Sequence, residues 1–390
     1  MKITGLILIY FLIPVNLLHA STEISGYLKT LNFAAPAREN EGARGLSGNR
    51  ARLEGRWSSP IKTVNAHLIS DTEALWGSLL ASQRHAVSGL IASDELFDLS
   101  WDFNEKPNFI WRENIHRGYV QVRSGALEAQ AGRIRMAWGQ GRLWNPTDVI
   151  NPYNPLSVER QERPGSDLAH VRWNFSGLGF LEGIYVPKRS AEWNKSLVLG
   201  RLRANAFTMD FEVLGGKRGR ENMAGLAHAA QVWDGSLRTE AAYNFDSEIR
   251  RDFARAVVSY DRSFSLPNTL YFLTEYFYNG IGERSRHDYA KVILNSQDQS
   301  FLGRDYSGFG VSYDITPLWK TEIYGILNLS DGSIFAGPKI TWQARESFEF
   351  SAGYQVFNGR DGTEFGTLRD LGFVQAQWFF SWSPGAAGKI

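Results

Sequence analysis

The chain has 390 residues, 42 Lys and Arg against 41 Asp and Glu, and no cysteine. Balanced charge excludes the net basic footprint of a nucleic-acid binder, and no basic block is present to hold anionic lipid head groups. The missing thiols exclude a disulfide framework, a thiolate metal site, covalently attached haem and cysteine catalysis.

Residues 1–20 read as a signal peptide. Lys2 gives the positive start, Gly5 to Ile13 the apolar stretch, and Leu18-His19-Ala20 a cleavage site before Ser21. Pro14 and Asn16 interrupt the run short of the ~20 residues a spanning helix needs. Lys2 is the only charged residue in this segment, so its removal leaves the two signs equal. Residues 21–390 read as a single domain, because no fixed-period repeat, low-complexity tract or linker divides them.

Mean hydropathy is −0.29 and hydrophobic residues make up 43%, values that suit a soluble protein and a membrane barrel alike. In a membrane barrel only every second strand residue meets lipid. The 13 Trp, 15 Tyr and 24 Phe suit strands and a water–lipid interface.

Taken in chain order, strand-length segments are separated by links that are short and long by turns. Short links are Ser58-Ser59-Pro60, Ser124-Gly125, Ser176-Gly177, Asp234-Gly235, Thr316-Pro317 and Glu346-Ser347. Long polar links are 33–48, 71–116, 136–165, 187–195, 215–223, 280–304 and 358–370, and Glu95 to Phe103 within the second of these reads as a further candidate strand.

Four segments alternate cleanly. Ala169, Val171, Trp173 and Phe175 oppose His170, Arg172 and Asn174; Phe207, Met209, Phe211 and Val213 oppose Thr208, Asp210 and Glu212. Leu237, Thr239, Ala241, Tyr243 and Phe245 oppose Arg238, Glu240, Asn244 and Asp246; Phe348, Phe350, Ala352, Tyr354 and Val356 oppose Glu349, Ser351 and Gln355. Period two sends each set to one side of a sheet, and the apolar rows carry no charge. The expected fold is all-β: a transmembrane antiparallel barrel of roughly 16–18 strands, apolar outside and polar inside, in a bacterial outer membrane.

Residues 136–165 break the tiling. Asn145-Pro146, Asn151-Pro152 and Asn154-Pro155 disfavour both helix and strand, while Trp138, Trp144 and Tyr153 supply apolar surface to pack. A loop this long is expected to be functional, folded into the barrel mouth. Gly132-Arg133-Ile134-Arg135, Trp138-Gly139-Gln140-Gly141, Asn145-Pro146-Thr147-Asp148 and Glu159-Arg160-Gln161-Glu162-Arg163-Pro164-Gly165 resemble a poorly characterised family of porin-like bacterial outer-membrane proteins. The likeness covers roughly 117–187 and implies a barrel with a channel, without fixing its substrate. One departure is at the end, where Ser381 to Ile390 follows Phe380 although such barrels commonly finish on an aromatic residue.

The expected constriction set is Arg133, Arg135, Trp138, Arg142, Asn145, Asp148, Arg160, Glu162 and Arg163, a charge cluster able to sort solutes by size and sign. The bland alternative is a salt-bridged network that only pins the loop. The expected lumen wall includes Arg172, Arg201, Arg203, Arg238, Glu240 and Arg255, with Lys339, Arg345, Asp210, Glu212, Asp261 and Glu349. Signs this mixed name no ion preference.

Gly139 and Gly141 lack the third glycine of a phosphate loop, and no H-E-x-x-H, G-x-S-x-G or P-loop sequence occurs. His67, His85, His116, His170, His228 and His287 lack the spacing of a local metal motif. No catalytic residue, metal or cofactor is expected. The leading expectation is passive diffusion of small solutes. The alternatives are a scaffold or sheath around a periplasmic, export or electron-transfer partner, and, ranked lowest, a barrel-embedded hydrolase. A homo-oligomer or a periplasmic partner protein stays open.

Overall fold

The alternating segments form one antiparallel sheet that closes on itself. A computed structural model describes residues 21–37, 42–82, 95–152, 154–159, 162–189, 195–219, 221–245, 252–295 and 301–382. The signal-peptide expectation for 1–20, and the constriction residue Arg160, fall outside these residues.

The strands begin with β1 (Ser21–Ala35), β2 (Arg44–Ser58), β3 (Val64–Trp76), β4 (Ser100–Lys106), β5 (Phe109–Ser124) and β6 (Leu127–Ile134). After the long loop come β7 (Ser166–Asn174), β8 (Phe180–Val186), β9 (Leu197–Ala206), β10 (Met209–Arg218), β11 (Glu221–Val232) and β12 (Gly235–Phe245). The circuit ends with β13 (Phe253–Ser265), β14 (Thr269–Asn279), β15 (Asp305–Thr316), β16 (Trp319–Asn328), β17 (Ile334–Arg345), β18 (Phe348–Asn358) and β19 (Leu371–Trp382).

β19 pairs with β1 from Ile24↔Trp382 to Ala34↔Gly372, which leaves the ring without an open edge. β3 pairs directly with β5, and β4 attaches only to the outer half of β5. The ring therefore has 18 strands, the top of the expected range, and the candidate strand near Glu95 to Phe103 becomes the β4 appendage. Ser21 pairs with Ser58 and Ile24 with Trp382, so β1 begins and β19 ends where the short turns are, the periplasmic end of such a barrel.

Several links differ from expectation. The long link 215–223 shrinks to 219–220, because Gly215 and Gly216 sit inside β10. There a Cβ on Gly216 would lie 2.1 Å from the Val198 carbonyl, so the glycine serves close strand approach rather than a loop. Two turns differ from their sequence signals: Phe207-Thr208, which has none, and Trp233-Asp234, one residue before the expected Asp234-Gly235, stand at positive φ, 53° and 63°, then 48° and 58°. Such two-residue turns match the twist of their hairpins and normally take Asn-Gly.

The alternation holds. Val171, Trp173, Phe211, Val213, Tyr243, Phe245, Phe350 and Tyr354 are exposed, whereas His170, Glu182, Glu212, Glu240 and Gln355 are buried. The first set forms a lipid-facing surface and the second faces the lumen.

One expectation needs amendment. The lumen is not polar throughout, because its outer half carries two apolar cores. Ile134, Met136, Trp138, Leu168, Ile184 and Leu214 belong to the first; Leu143, Trp144, Phe277, Phe301, Phe335 and Phe365 belong to the second. Loops fold inward there, and their apolar side chains need apolar wall to pack against.

Candidate functional site

Loop 136–165 leaves β6, enters the barrel and crosses to the opposite wall. Its first anchor is hydrophobic: Met136 and Trp138 are buried against Ile184, Val186, Leu199 and Leu214. Pro and Gly then bend the backbone so that successive N–H groups point at wall carboxylates, and such concave N–H clusters favour anions. Glu275 on β14 accepts from the backbone N–H of Arg142 (2.7 Å), Leu143 (3.0 Å) and Trp144 (2.7 Å). Glu240 on β12 accepts from the N–H of Gln140 (2.7 Å) and Thr147 (2.6 Å), and from the Thr147 hydroxyl (2.8 Å). Glu212 on β10 accepts from the Gln140 side chain at 2.7 Å. Trp144 stacks on Phe277 with centroids 5.3 Å apart, while Phe301 meets it edge-on.

The two ends of the loop are then tied together. Asp148 accepts from Arg163 at 2.7 Å, Asn151 Oδ1 accepts from the Met136 N–H at 2.9 Å, and the Asn151 amide donates to the Pro164 carbonyl at 3.1 Å. Burial raises Asp148 to about 7 against the pull of Arg163.

The far wall is basic where the first was acidic. Glu159 pairs with Lys29 on β1 at 2.6 Å and Arg50 on β2 at 3.1 Å. Glu162 accepts from Arg52 at 2.7 Å and from the Tyr27 hydroxyl at 3.3 Å. Burial would raise Glu162, but Arg52, Lys29 and Arg50 outweigh it and hold the carboxyl at about 2. Gln355 on β18 donates to the Leu156 carbonyl at 2.7 Å. The loop thus bridges opposite sides of the ring.

Most wall charges are neutralised in pairs. Arg50 meets Glu73, and Arg52 grips Asp71 with both Nε and Nη2, each contact at 2.6 Å. Arg172 and Arg201 share Glu182, Arg201 also meets Glu212, Arg203 meets Asp210, and Arg238 meets Asp261. Arg117 on β5 and Arg135 just after β6 are different. Arg117 donates to the Arg163 carbonyl at 3.4 Å, Arg135 is exposed, and among the described residues neither has a carboxylate partner within ion-pair distance. Partial desolvation of its guanidinium beside the loop, and then the neighbouring Arg163, lower Arg135 from the usual value. Beside the loop, positive charge is therefore in excess.

Of the expected constriction residues, Arg135, Trp138, Arg142, Asn145, Asp148, Glu162 and Arg163 come together in or beside the loop. Trp138 packs rather than lines, with the Arg201 guanidinium 4.8 Å from its ring. Asn145 borders a small cavity of about 70 Å³ on the loop, together with Trp144, Asp148, Arg218, Arg255 and Asn279. Arg133 is misplaced in that set. It lies on the wall face opposite Ile134 and Leu168, bonded to Asp167 at 2.9 Å and to the Phe97 carbonyl at 2.7 Å. Period two explains the error, since Ile134 turned inward forces Arg133 outward.

The expected wall residues Arg172, Arg201, Arg203, Arg238 and Arg255 face the lumen, whereas Glu240 is buried under the loop. Reading the sequence missed Glu275 and the basic set Lys29, Arg50 and Arg52. Arg50, Arg52, Glu54 and Arg56 do alternate at period two, a signal available in the sequence. Glu275 carries none, because what marks it is the loop backbone 131 or more residues away. On the periplasmic side of the lumen a wider cavity of about 590 Å³ is lined by Asp314, Lys320, Thr341, Gln343 and Glu349. Among the described residues no group of three or more His, Asp or Glu could hold a metal ion.

The sequence matches no family model and no curated protein. Solved structures do match. OpdK of Pseudomonas aeruginosa, crystallised with vanillate, aligns with a TM-score of 0.54 at 13% identity, over 93% of this chain and 99% of that one. OccK2 (OpdF) of the same organism, in complex with glucuronate, gives 0.52 at 11% identity over 93% and 98%. A BenF-like porin from Pseudomonas fluorescens gives 0.55 at 10% identity over 93% and 99%. At such identities the likeness is one of architecture, and in architecture this chain is similar to outer-membrane porins.

Proposed function

We propose that this chain is a bacterial outer-membrane channel for passive diffusion of small polar or charged solutes, with loop 136–165 as its constriction. The observation that carries the reading is a loop fixed to opposite walls of a closed ring, with Arg117 and Arg135 beside it and no carboxylate in ion-pair contact with either among the described residues. A barrel of this size encloses room for an aqueous path, whereas a flexible loop would leave it ungated. The excess positive charge favours solutes bearing a carboxylate, as both vanillate and glucuronate do in the similar structures. The resemblance of residues 117–187 to a poorly characterised porin-like family supports the same reading, in which the mature chain is one barrel domain left by cleavage behind Ala20.

Planar-bilayer recording tests it. Discrete conductance steps are expected, and they should grow when Glu240→Gln and Glu275→Gln together release the loop. A folded, pure protein that never conducts overturns the proposal.

A further inference from the structure

The lipid-facing surface is not uniform. Around most of the ring it shows Val, Leu, Phe, Trp and Tyr, but the outer half of β1, β2, β3 and β5 shows Thr30, Asn32, Ser47, Asn49, Thr72 and Glu113, with Ser70 buried among them. The register makes these one patch: Thr30 opposes Asn49, Asn32 opposes Ser47, and Thr72 opposes both Ala51 and Glu113. They lie outside because Arg50, Arg52, Asp71 and Glu73, which alternate with them, face the lumen.

The patch also lies at bilayer depth. Exposed Trp76 and Trp111 stand nearer the outer ends of β3 and β5 than Thr72 and Glu113 do, and exposed Leu68 and Val120 stand nearer the periplasmic ends. Rings of this kind mark the interface, so the patch sits below it, in hydrocarbon. Part of it is satisfied internally. Ser47 donates to Asn32 at 2.7 Å, and the Ser70 and Thr72 hydroxyls donate to Glu113. Two groups are not. Among the described residues the exposed Asn49 side chain has no hydrogen bond, and Glu113 has no cationic partner. Lipid tails can satisfy neither.

We propose that this face docks a second copy of the chain, side by side in the membrane. The missing groups are mutually complementary, because Asn49 offers amide donors and Glu113 a carboxylate acceptor. β2 and β5 flank β3, so a two-fold axis along the membrane normal at β3 brings each Asn49 to the second copy's Glu113, and the reverse. That is the reciprocity a two-fold interface requires. Outward Ala51, Gly55, Ala74 and Gly118 keep the face flat, and small residues let backbones approach closely in lipid. The inference does not rest on the channel reading.

The chain has no cysteine, so single introduced thiols report cleanly. Asn49→Cys and Glu113→Cys proteins, mixed in lipid bilayers and oxidised, should give a disulfide-linked dimer far above the yield of Val171→Cys, which lies on another face. Each mixed pair keeps one intact Asn49–Glu113 contact. Separately, Asn49→Leu with Glu113→Leu should raise the dimer dissociation constant in lipid discs about tenfold, ~1.4 kcal/mol, while heat-dependent gel mobility shows the barrel folded. Wild-type protein that is monomeric in lipid discs overturns the proposal, as does cross-linking no greater than at position 171.

Discussion

Arg135 and Asp148 show how a residue's role in this lumen depends on whether its charge is matched. Arg135 has no carboxylate partner among the described residues and sits beside Arg117 and Arg163. Arg135→Glu should therefore shift the reversal potential in a salt gradient severalfold toward cations, with the barrel unaltered. Asp148 titrates in the neutral range, since burial raises it to about 7 from the ~3.9 usual for Asp. The native state then keeps a proton that the unfolded chain has lost, so loop attachment weakens as pH rises from about 4 to 7 and is level above that. The charge at the constriction changes the other way. Acidification through about 7 neutralises Asp148 and makes the net charge at the constriction more positive, so anion preference should increase between pH 8 and 6. Asp148→Asn should be flat across that range. Glu364, raised to about 7 by burial and bonded to Tyr306 and Asn328 at the outer mouth, is the control: Glu364→Gln should keep the response.

At the scale of elements, strands were legible and two turns were not. Asp234-Gly235 gave a turn signal one residue late, and Phe207-Thr208 gave none, because Phe and Thr are strand formers. Their left-handed backbone is imposed by hairpin register, which outweighs the local preference. Trp233 is 82% exposed, so its ring packs little, and the bond from Tyr260 is to its backbone carbonyl. Replacing Trp233-Asp234 by Asn-Gly should stabilise the hairpin by ~1–2 kcal/mol, seen as a later urea midpoint in lipid vesicles. The inward loop was legible as an exception to the tiling, through its Asn-Pro pairs and its rings. Its anchors were not, because Glu240 and Glu275 are recognised by backbone amides that any residue could supply.

At the scale of the molecule, the membrane sorts the two faces more strictly than water would. Val171→Arg places a cation on the lipid face of β7 and should cost ~2–4 kcal/mol of barrel stability if the site is near mid-bilayer, whereas Arg172→Val on the lumen face orphans the Arg172 contact to Glu182 and should alter conductance more than stability. Unfolding and conductance measured on both variants separate the two faces.

The sequence by itself determined the barrel, its outward face and the loop that departs from it, because period-two alternation and Pro-Gly punctuation are local properties of the chain. Only the tertiary structure decided which charges cancel, that Arg133 packs against Asp167 away from the lumen, and that the outer half of the lumen carries two apolar cores. The charge pairs depend on which strands lie side by side and in what register, and the anchoring of the loop depends on closing the ring, which brings Trp144 to Glu275 and Glu162 to Arg52, more than a hundred positions apart.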